Sequence, residues 1–175
     1  MSIRIELVNI SDYREIFDFE KANRAFFESV LPLRVEDYYQ YESFEKIMDQ
    51  LMKEQEYGQF YMYLIRENHK LIGRINLQIG EEDHVKKAEV GYRIGEGFQG
   101  KGYATKAVKL IIEEASAQFS IKEMVAGTAK NNISSRKVLE NNGFILTSKE
   151  KNVFKINDAC IDGLLYSKSI EARTW

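Results

Sequence analysis

The chain has 175 residues, of which 44% are hydrophobic and 30% charged, a composition typical of a soluble globular protein rather than a disordered one. Its 25 basic and 27 acidic residues nearly balance, so there is no global basic field for nucleic acid or an anionic membrane. The single cysteine, Cys160, excludes an internal disulfide framework, and two histidines, His69 and His84, leave little material for a metal site.

The sequence contains neither a signal-peptide pattern near its N-terminus nor an apolar run of the length that spans a bilayer. We therefore expect a cytoplasmic protein that binds neither membrane nor nucleic acid and holds no metal. The absence of an internal repeat, a low-complexity tract or a linker predicts one domain over residues 1–175.

The N-terminal third of the chain predicts one strand and two helices. Residues 3–10 alternate apolar and polar side chains, which favours a strand. Acidic residues soon after Ser11 indicate the start of a helix over about 12–28. Pro32 separates this helix from a second amphipathic helix over about 36–56.

The middle of the chain predicts three strands followed by a helix. Residues 59–66 and 70–79 favour an antiparallel hairpin because both stretches are rich in aromatic or branched side chains. A polar loop over 80–87 leads to a third strand at 88–95. The helix that begins near residue 102 has apolar side chains at helical spacing on one face.

The C-terminal part predicts a short buried strand over 124–129, a helix over about 133–141 and two closing strands. The closing strands cover 145–154 and 160–170 and meet at an Asn157-Asp158 turn. The resulting order is β-α-α-β-β-β-α-β-α-β-β. It predicts an α/β (α+β mixed sheet) fold whose central strand-helix-strand unit supplies a parallel crossover.

The stretch GEGFQGKGYA at residues 95–104 fits three phosphate-binding patterns. They are the dinucleotide pattern G-x-G-x-x-G, the first seven positions of the P-loop, and Q-x-x-G-x-[GA] of acetyl-CoA-dependent acyltransferases. The P-loop pattern fails because Gly102 stands where a hydroxyl must bind magnesium. The dinucleotide pattern fails because the strand at 124–129 ends without the carboxylate that binds a ribose.

Three sequence blocks resemble the GNAT superfamily of acetyl-CoA-dependent N-acyltransferases, and within it the ribosomal-protein alanine N-acetyltransferase (RimJ/RimL-type) branch. They are AEVGYRI at 88–94, QGKGYA at 99–104 and NISSRKVLENNGF at 132–144, in the family's order and spacing. The resemblance covers nearly the full length and is weakest between about 20 and 57. It implies the GNAT fold and transfer of an acetyl group from acetyl-CoA to a primary amine.

The resemblance also implies where acetyl-CoA binds. Its pantetheine would pair with main-chain groups at the end of the strand at 88–95, and its pyrophosphate would lie on N–H groups of the glycine loop. The cofactor-binding residues implied are Arg93, Ile94, Gly95, Gln99, Gly100, Lys101, Gly102, Tyr103, Ala104 and Asn132. The Lys101 side chain either adds charge or faces solvent, and Asn132 either contacts the cofactor or only caps its helix.

Two catalytic residues are suggested. Ser135 either protonates the leaving thiolate or only hydrogen-bonds locally, and the tyrosine that some relatives use as an acid is replaced here by Leu139. Glu89 is the candidate base because it shares a strand face with Arg93, although it could instead order a polar network or pair with a cation. Cys160 lies in a closing strand and is expected to be structural, since no covalent enzyme intermediate is implied.

The acceptor is expected to be a primary amine, either a protein N-terminus or a small molecule. The aromatic side chains of the two early helices and the first hairpin strand are expected to be mostly core, with a few of them lining the acceptor groove together with the closing hairpin around residues 157–162. These aromatic residues are Phe26, Phe27, Tyr38, Tyr39, Tyr41, Tyr61 and Tyr63. The family resemblance suggests a homodimer. The alternative function is a catalytically idle acyl-CoA-binding domain that acts as a sensor or interaction module, because the same phosphate-binding loop would serve both.

Overall fold

The structure, a computed structural model, describes residues 2–170 and contains one seven-stranded sheet. In chain order the strands are β1 (Ile3–Leu7), β2 (Phe60–Glu67), β3 (Lys70–Glu82), β4 (Val85–Ile94), β5 (Glu123–Ala129), β6 (Ile145–Ile156) and β7 (Ala159–Ser169). They lie in the order β1-β2-β3-β4-β5-β7-β6, and all neighbours are antiparallel except β4 and β5. The predicted mixed sheet and its single parallel crossover are confirmed.

Within residues 2–170, five α-helices cover the two faces of this sheet. They are α1 (Tyr13–Ala22), α2 (Arg24–Val30), α3 (Tyr41–Glu56), α4 (Tyr103–Gln118) and α5 (Ile133–Asn141). On one face α4 and α5 contribute to a core that includes Ile75, Val90 and Ile111. On the other face α1 and α3 enclose a second core with Met62 and Leu64 of β2. The sheet therefore separates two apolar clusters, as alternating side chains along each strand require.

The predicted helix over 12–28 is interrupted, so three helices rather than two lie between β1 and β2. The break falls at Asn23, whose φ of -101° and ψ of 8° leave the helical region. Its side-chain Nδ2 donates to the carbonyl oxygen of Phe19 at 2.9 Å, and its Oδ1 accepts the main-chain N–H of Glu96 at 2.9 Å. This amide ends α1 and ties it to the loop after β4, a long-range contact that the amphipathic pattern does not reveal.

The second predicted helix, over about 36–56, begins only at Tyr41. Residues 36–39 form a single 3-10 turn instead, and Gln40 has an extended main chain. This turn buries the neighbouring rings of Tyr38 and Tyr39, which meet edge to face with centroids 5.3 Å apart. Burial of both rings favours the turn over an earlier start of the helix.

The polar loop predicted over 80–87 is instead the tip of a long hairpin. The β3 and β4 strands stay paired up to a two-residue turn at Asp83 and His84, where φ is 51° and 62°. Positive φ at both central residues matches the right-handed twist of the flanking strands. The predicted turn at Asn157 and Asp158 is confirmed, with φ of 49° and 61°.

Gly73 lies where β3 passes close to the end of β4. A Cβ added there would lie 2.4 Å from the main-chain oxygen of Arg93 and 2.8 Å from Cδ1 of Ile94. We expect Gly73→Ala to lower the free energy of unfolding by about 1–3 kcal/mol, because backbone atoms must move to make room. Urea denaturation measures this loss. Gly80→Ala on the same strand is the matched control, since its Cβ would meet nothing within 4 Å; equal losses in both variants would contradict this account.

Candidate active site

The strands β4 and β5 separate along their length and leave an opening in the sheet. Their parallel register ends at Glu89 and Val125, although β4 continues to Ile94 and β5 to Ala129. A cavity of about 730 Å³ lies in this opening and is lined by the diverging ends of both strands. The cavity therefore lies beside the strand end where the family resemblance implies that acetyl-CoA binds.

The edge of β4 that faces the opening carries main-chain groups of Tyr92 and Ile94. The N–H of Gly95 donates to the Ile72 oxygen of β3 at 2.9 Å, and main-chain groups of alternate residues point to opposite edges of a strand. Gln99 Nε2 donates to the oxygen of Ile94 at 2.6 Å and thereby closes the turn after β4.

The glycine loop ends at the N-terminus of α4, where a second cavity of about 180 Å³ adjoins the first. Gly100 and Gly102 have φ of 70° and 76°, and the helix has no side-chain cap at Gly102. The N–H groups of a helix's first turn, with the helix dipole, favour an anion at this place. Lys137 of α5 lines the same cavity, whereas Lys101 folds back to donate to the oxygen of Gly97 at 3.0 Å.

Tyr103 anchors the glycine loop to the sheet. Its buried side chain donates a hydrogen bond from the hydroxyl group to the carboxylate of Glu67 on β2. Its ring meets Phe98 nearly edge to face, with centroids 6.1 Å apart. Of the residues predicted to bind the cofactor, Tyr103 is thus held by its side chain in a structural contact, which leaves its main chain as the part directed at a ligand.

The N-terminus of α5 brings two hydroxyl groups together at the cavity wall. Asn132 Oδ1 accepts the N–H of Ser135 at 3.1 Å, so Asn132 caps the helix. Tyr92 Oη lies 3.0 Å from Ser135 Oγ, and both residues line the cavity. Burial raises the pKa of Tyr92 to about 12, so both hydroxyl groups are protonated at neutral pH. Tyr92 was not predicted as a site residue, although its position in the AEVGYRI block was a usable signal.

Glu89 does not reach the cavity. It is exposed at the last position where β4 pairs with β5, and it is absent from the residues that line the opening. Arg93, on the same face of the strand, pairs with Glu20 of α1 at 3.0 Å rather than with Glu89. The role of Glu89 as a base therefore stays a prediction, without a contact that places it beside a substrate.

Three arginines line the cavity on the face of α1 and α2: Arg34, Arg74 and Arg93. Glu20, which is fully buried, pairs with Arg74 at 2.6 Å and with Arg93 at 3.0 Å. Burial lowers the pKa of Arg93 to about 10 although the Glu20 carboxylate opposes this. Burial also disfavours the ionised Glu20 carboxyl, but the three arginines outweigh it and hold the pKa of that carboxyl below its usual value.

Apart from Asn76, much of the remaining wall on this face is apolar. It includes Phe26 and Phe27 of α2, as predicted for the acceptor groove, and Phe154 and Ile156 near the end of β6. The closing hairpin thus contributes through the strand before its turn rather than through residues 157–162. The ring of Phe27 also lies 5.0 Å from the guanidinium of Arg93.

Other predicted features are peripheral to this opening. His69, His84 and Cys160 are exposed, and none lines the cavity. Residues 2–170 contain no group of three or more His, Cys, Asp or Glu side chains placed to hold a metal ion. No helix in the described chain is long and apolar enough to cross a membrane.

Comparison with known proteins links this geometry to one family. The family model described as an acetyltransferase (GNAT) domain matches residues 3–145, from β1 to the start of β6. Among curated proteins, the probable N-acetyltransferase YjcK of Bacillus subtilis (strain 168) is 29% identical over 160 residues. The match covers 89% of this chain and 87% of YjcK.

Two solved structures share the fold over almost the whole chain. The ribosomal-protein-S5-alanine acetyltransferase of Vibrio fischeri superposes with a TM-score of 0.90 at 23% identity, covering 99% of this chain and 97% of its own. RimL, a ribosomal L7/L12 alpha-N-protein acetyltransferase in complex with coenzyme A, gives 0.88 at 21% identity with the same coverage. At these identities the two structures establish the fold.

Proposed function

The chain belongs to the GNAT acetyltransferase family, and on that premise we propose that it transfers an acetyl group from acetyl-CoA to a primary amine. The observation that carries the proposal is the opening between β4 and β5, with the glycine loop and the N-terminus of α4 at its edge. The RimL neighbour contains coenzyme A and acts on a protein α-amine, which favours a peptide N-terminus among the acceptors.

The two cavities would hold different parts of the cofactor. The pyrophosphate would occupy the smaller cavity, on N–H groups of Gly100 to Ala104, with Lys137 nearby. The pantetheine would extend along the edge of β4 and pair with main-chain groups near Tyr92 and Ile94 in the manner of an added strand. This path directs the thioester toward the hydroxyl pair of Tyr92 and Ser135.

The reaction would proceed by direct attack within a ternary complex. The lone pair of the neutral amine forms a C–N bond with the thioester carbonyl carbon, and the carbonyl π electrons move to oxygen. When the carbonyl re-forms, the C–S bond breaks and the thiolate takes a proton from the Ser135–Tyr92 hydroxyl pair. The proton lost by nitrogen passes to water, which would relay it to Glu89 or to bulk solvent, and water restores the hydroxyl proton. The products are an amide and free CoA thiol.

Removal of either hydroxyl group of the pair should slow the reaction. If Ser135 supplies the proton, Ser135→Ala should lower kcat by about 100-fold with little change in the KM for acetyl-CoA, because general-acid catalysis contributes at least about that factor. Tyr92→Phe should lower kcat by a similar factor if the two hydroxyl groups act as one unit. Steady-state kinetics at saturating acceptor measures both effects.

Ser134→Ala is the control for this series, because Ser134 lines the same cavity but forms no bond with Tyr92. Its kcat should stay within about threefold of the parent value, as for a surface substitution. Full activity in both Ser135→Ala and Tyr92→Phe would exclude the hydroxyl pair as the acid and leave water in that role.

Turnover tests the proposed function. Release of free CoA thiol from acetyl-CoA is followed with a panel of peptides, polyamines and aminoglycosides, and we expect release that depends on the amine. Saturating acetyl-CoA should also raise the Tm, since a ligand that binds only the folded state stabilises it. A raised Tm without release for any amine would indicate an idle acyl-CoA-binding domain, and an unchanged Tm would contradict the cofactor assignment itself.

A further inference from the structure

We propose that the amine acceptor carries an anionic group, a carboxylate or a phosphate, which binds the cluster formed by Arg34, Arg74 and Arg93. This inference rests on the proposed acetyl transfer and specifies the class of its second substrate. It is based on the charge, the position and the unpaired polar atoms of the part of the cavity that lies on the face of α1 and α2, which we call the acceptor half.

The charges in this half do not balance. Three guanidinium groups line the cavity, and no Asp or Glu among residues 2–170 lines it with them. Glu20 neutralises one positive charge through its ion pairs with Arg74 and Arg93. Buried charges are costly unless they are paired, so a surplus of two cations indicates that an anion completes the site.

Arg34 is the member of the cluster that Glu20 affects without a close ion pair. It forms no ion pair within residues 2–170, and its Nε is buried without a hydrogen-bond partner in that part of the chain. Its guanidinium lies over the ring of Tyr38, 4.1 Å from the centroid. Stacking on an aromatic face leaves the edge of a guanidinium free to bind a carboxylate or phosphate in bidentate fashion. Burial and the nearby Arg74 both lower the pKa of Arg34.

The position of the cluster separates it from the cofactor phosphates. Arg74 and Arg93 are paired neighbours on β3 and β4, and both side chains reach Glu20 on the face covered by α1. The glycine loop and α4 belong to the opposite face. An anion at the arginine cluster would therefore be part of the second substrate, on the far side of the opening from the pyrophosphate.

A second unpaired atom marks where the amine of the acceptor would bind. Asn76 Oδ1 is buried without a hydrogen-bond partner among the described residues, and Asn76 lines the same cavity. It lies two residues from Arg74 on the same face of β3, a separation of about 7 Å along a strand. Gly91, its partner on β4, leaves the space above it open. An amine that donates to Asn76 would thus lie in the same cavity as the arginine cluster, which suits a peptide whose second side chain is acidic.

The same cluster also helps the amine to react. Nearby cations disfavour an ammonium group and lower its pKa, so the attacking nitrogen loses its proton more readily. This effect suits a cavity whose lining includes no carboxylate to act as a base. Binding of the anion and release of the amine's proton would then have a common physical cause.

Matched acceptors test the proposal through their kcat/KM. One pair consists of the amidated tripeptides Ala-Asp-Ala and Ala-Asn-Ala, and the other has phosphoserine or serine at the second position. We expect the anionic member of at least one pair to be favoured at least about tenfold, the size of one charge-assisted hydrogen bond. The pair with the larger preference distinguishes a carboxylate from a phosphate; equal values within both pairs would overturn the proposal.

Arg34→Gln identifies the residue responsible. Because Glu20 keeps both of its ion pairs, this variant should have an undiminished Tm and unchanged CoA affinity, yet lose most of the preference for the anionic acceptor. In this variant the plateau in the pH profile of kcat/KM should begin at a higher pH, since one cation no longer lowers the pKa of the acceptor's amine. Arg14→Gln is the matched control, because Arg14 lies exposed on α1 in an ion pair with Asp18. An Arg34→Gln variant that retained the full preference would contradict the assignment.

A binding measurement separates this proposal from the proposed function. With CoA saturating, so that the pyrophosphate site is filled, malonate and inorganic phosphate are titrated at constant ionic strength and the Tm is followed. We expect at least one anion to raise the Tm of the parent protein and to lose this effect in Arg34→Gln. An absence of any such shift overturns the anion site even if acetylation occurs. A shift without acetylation of any amine would leave the anion site standing and contradict the transferase proposal.

Discussion

Gly102→Asp is expected to weaken the binding of acetyl-CoA at least about 100-fold. The substitution places a carboxylate at the N-terminus of α4, against the proposed position of the pyrophosphate. Two like charges about 4 Å apart near a protein surface repel by about 4 kcal/mol, and about 1.4 kcal/mol corresponds to a tenfold change in affinity. Isothermal titration calorimetry at low salt measures the change most clearly, because salt screens this repulsion.

The control for this variant is Gly102→Asn, which has nearly the same shape without the charge. A Cβ at Gly102 meets nothing within 4 Å, and both Asn and Asp adopt the positive φ of 76° more readily than other residues do. Both variants should therefore fold alike, and Gly102→Asn should lose no more than about tenfold in affinity. Equal affinities for Gly102→Asp and the parent protein would show that the phosphates bind elsewhere.

Glu20→Gln is expected to lower the free energy of unfolding by about 3–5 kcal/mol, the usual cost of removing one partner from a buried ion pair. The variant leaves Arg34, Arg74 and Arg93 together without Glu20, the one buried carboxylate among residues 2–170. Asp18→Asn on the same helix is the control, since its ion pair with Arg14 is exposed and contributes at most about 1 kcal/mol. Urea denaturation of the three proteins at neutral pH gives the comparison.

The same carboxyl group makes the stability dependent on pH. Its pKa is lower in the folded protein than the ordinary value of 4.5, so protonation favours unfolding. The stabilisation by Glu20 is complete above about pH 4.5 and is lost as the pH falls through the folded-state pKa. Unfolding free energies measured from pH 6 downward should fall more steeply for the parent protein than for Glu20→Gln. Parallel curves for the two would contradict the assignment of this dependence to Glu20.

The parts of the fold that could be predicted from sequence are those set by local patterns. The apolar spacing of α4 and the turn at Asn157 and Asp158 depend on residues close in the chain, and both were predicted. The break between α1 and α2 depends on contacts of Asn23 with Glu96, which lies far along the chain, and was therefore missed. Local periodicity carries no information about such a partner.

In the candidate site, too, the residues that are close together in sequence could be predicted and the others could not. The glycine loop is one continuous stretch, and its phosphate-binding pattern could be recognised directly. The arginine cluster is assembled from β3, β4 and the segment after α2, so its members are not adjacent in sequence and form no motif. Glu89 was predicted to be the base because it shares a strand face with Arg93. Sharing a face does not establish that a side chain reaches the opening. Tyr92, on the opposite face, reaches it.

A crystal structure of the protein with acetyl-CoA would show whether the cofactor binds in the opening between β4 and β5. We expect the pyrophosphate on the main chain of Gly100 to Ala104 and the thioester between the diverging ends of β4 and β5, within hydrogen-bonding reach of Ser135 or Tyr92. A cofactor bound with its pyrophosphate away from the N-terminus of α4, or with its thioester outside the opening, would contradict this expectation.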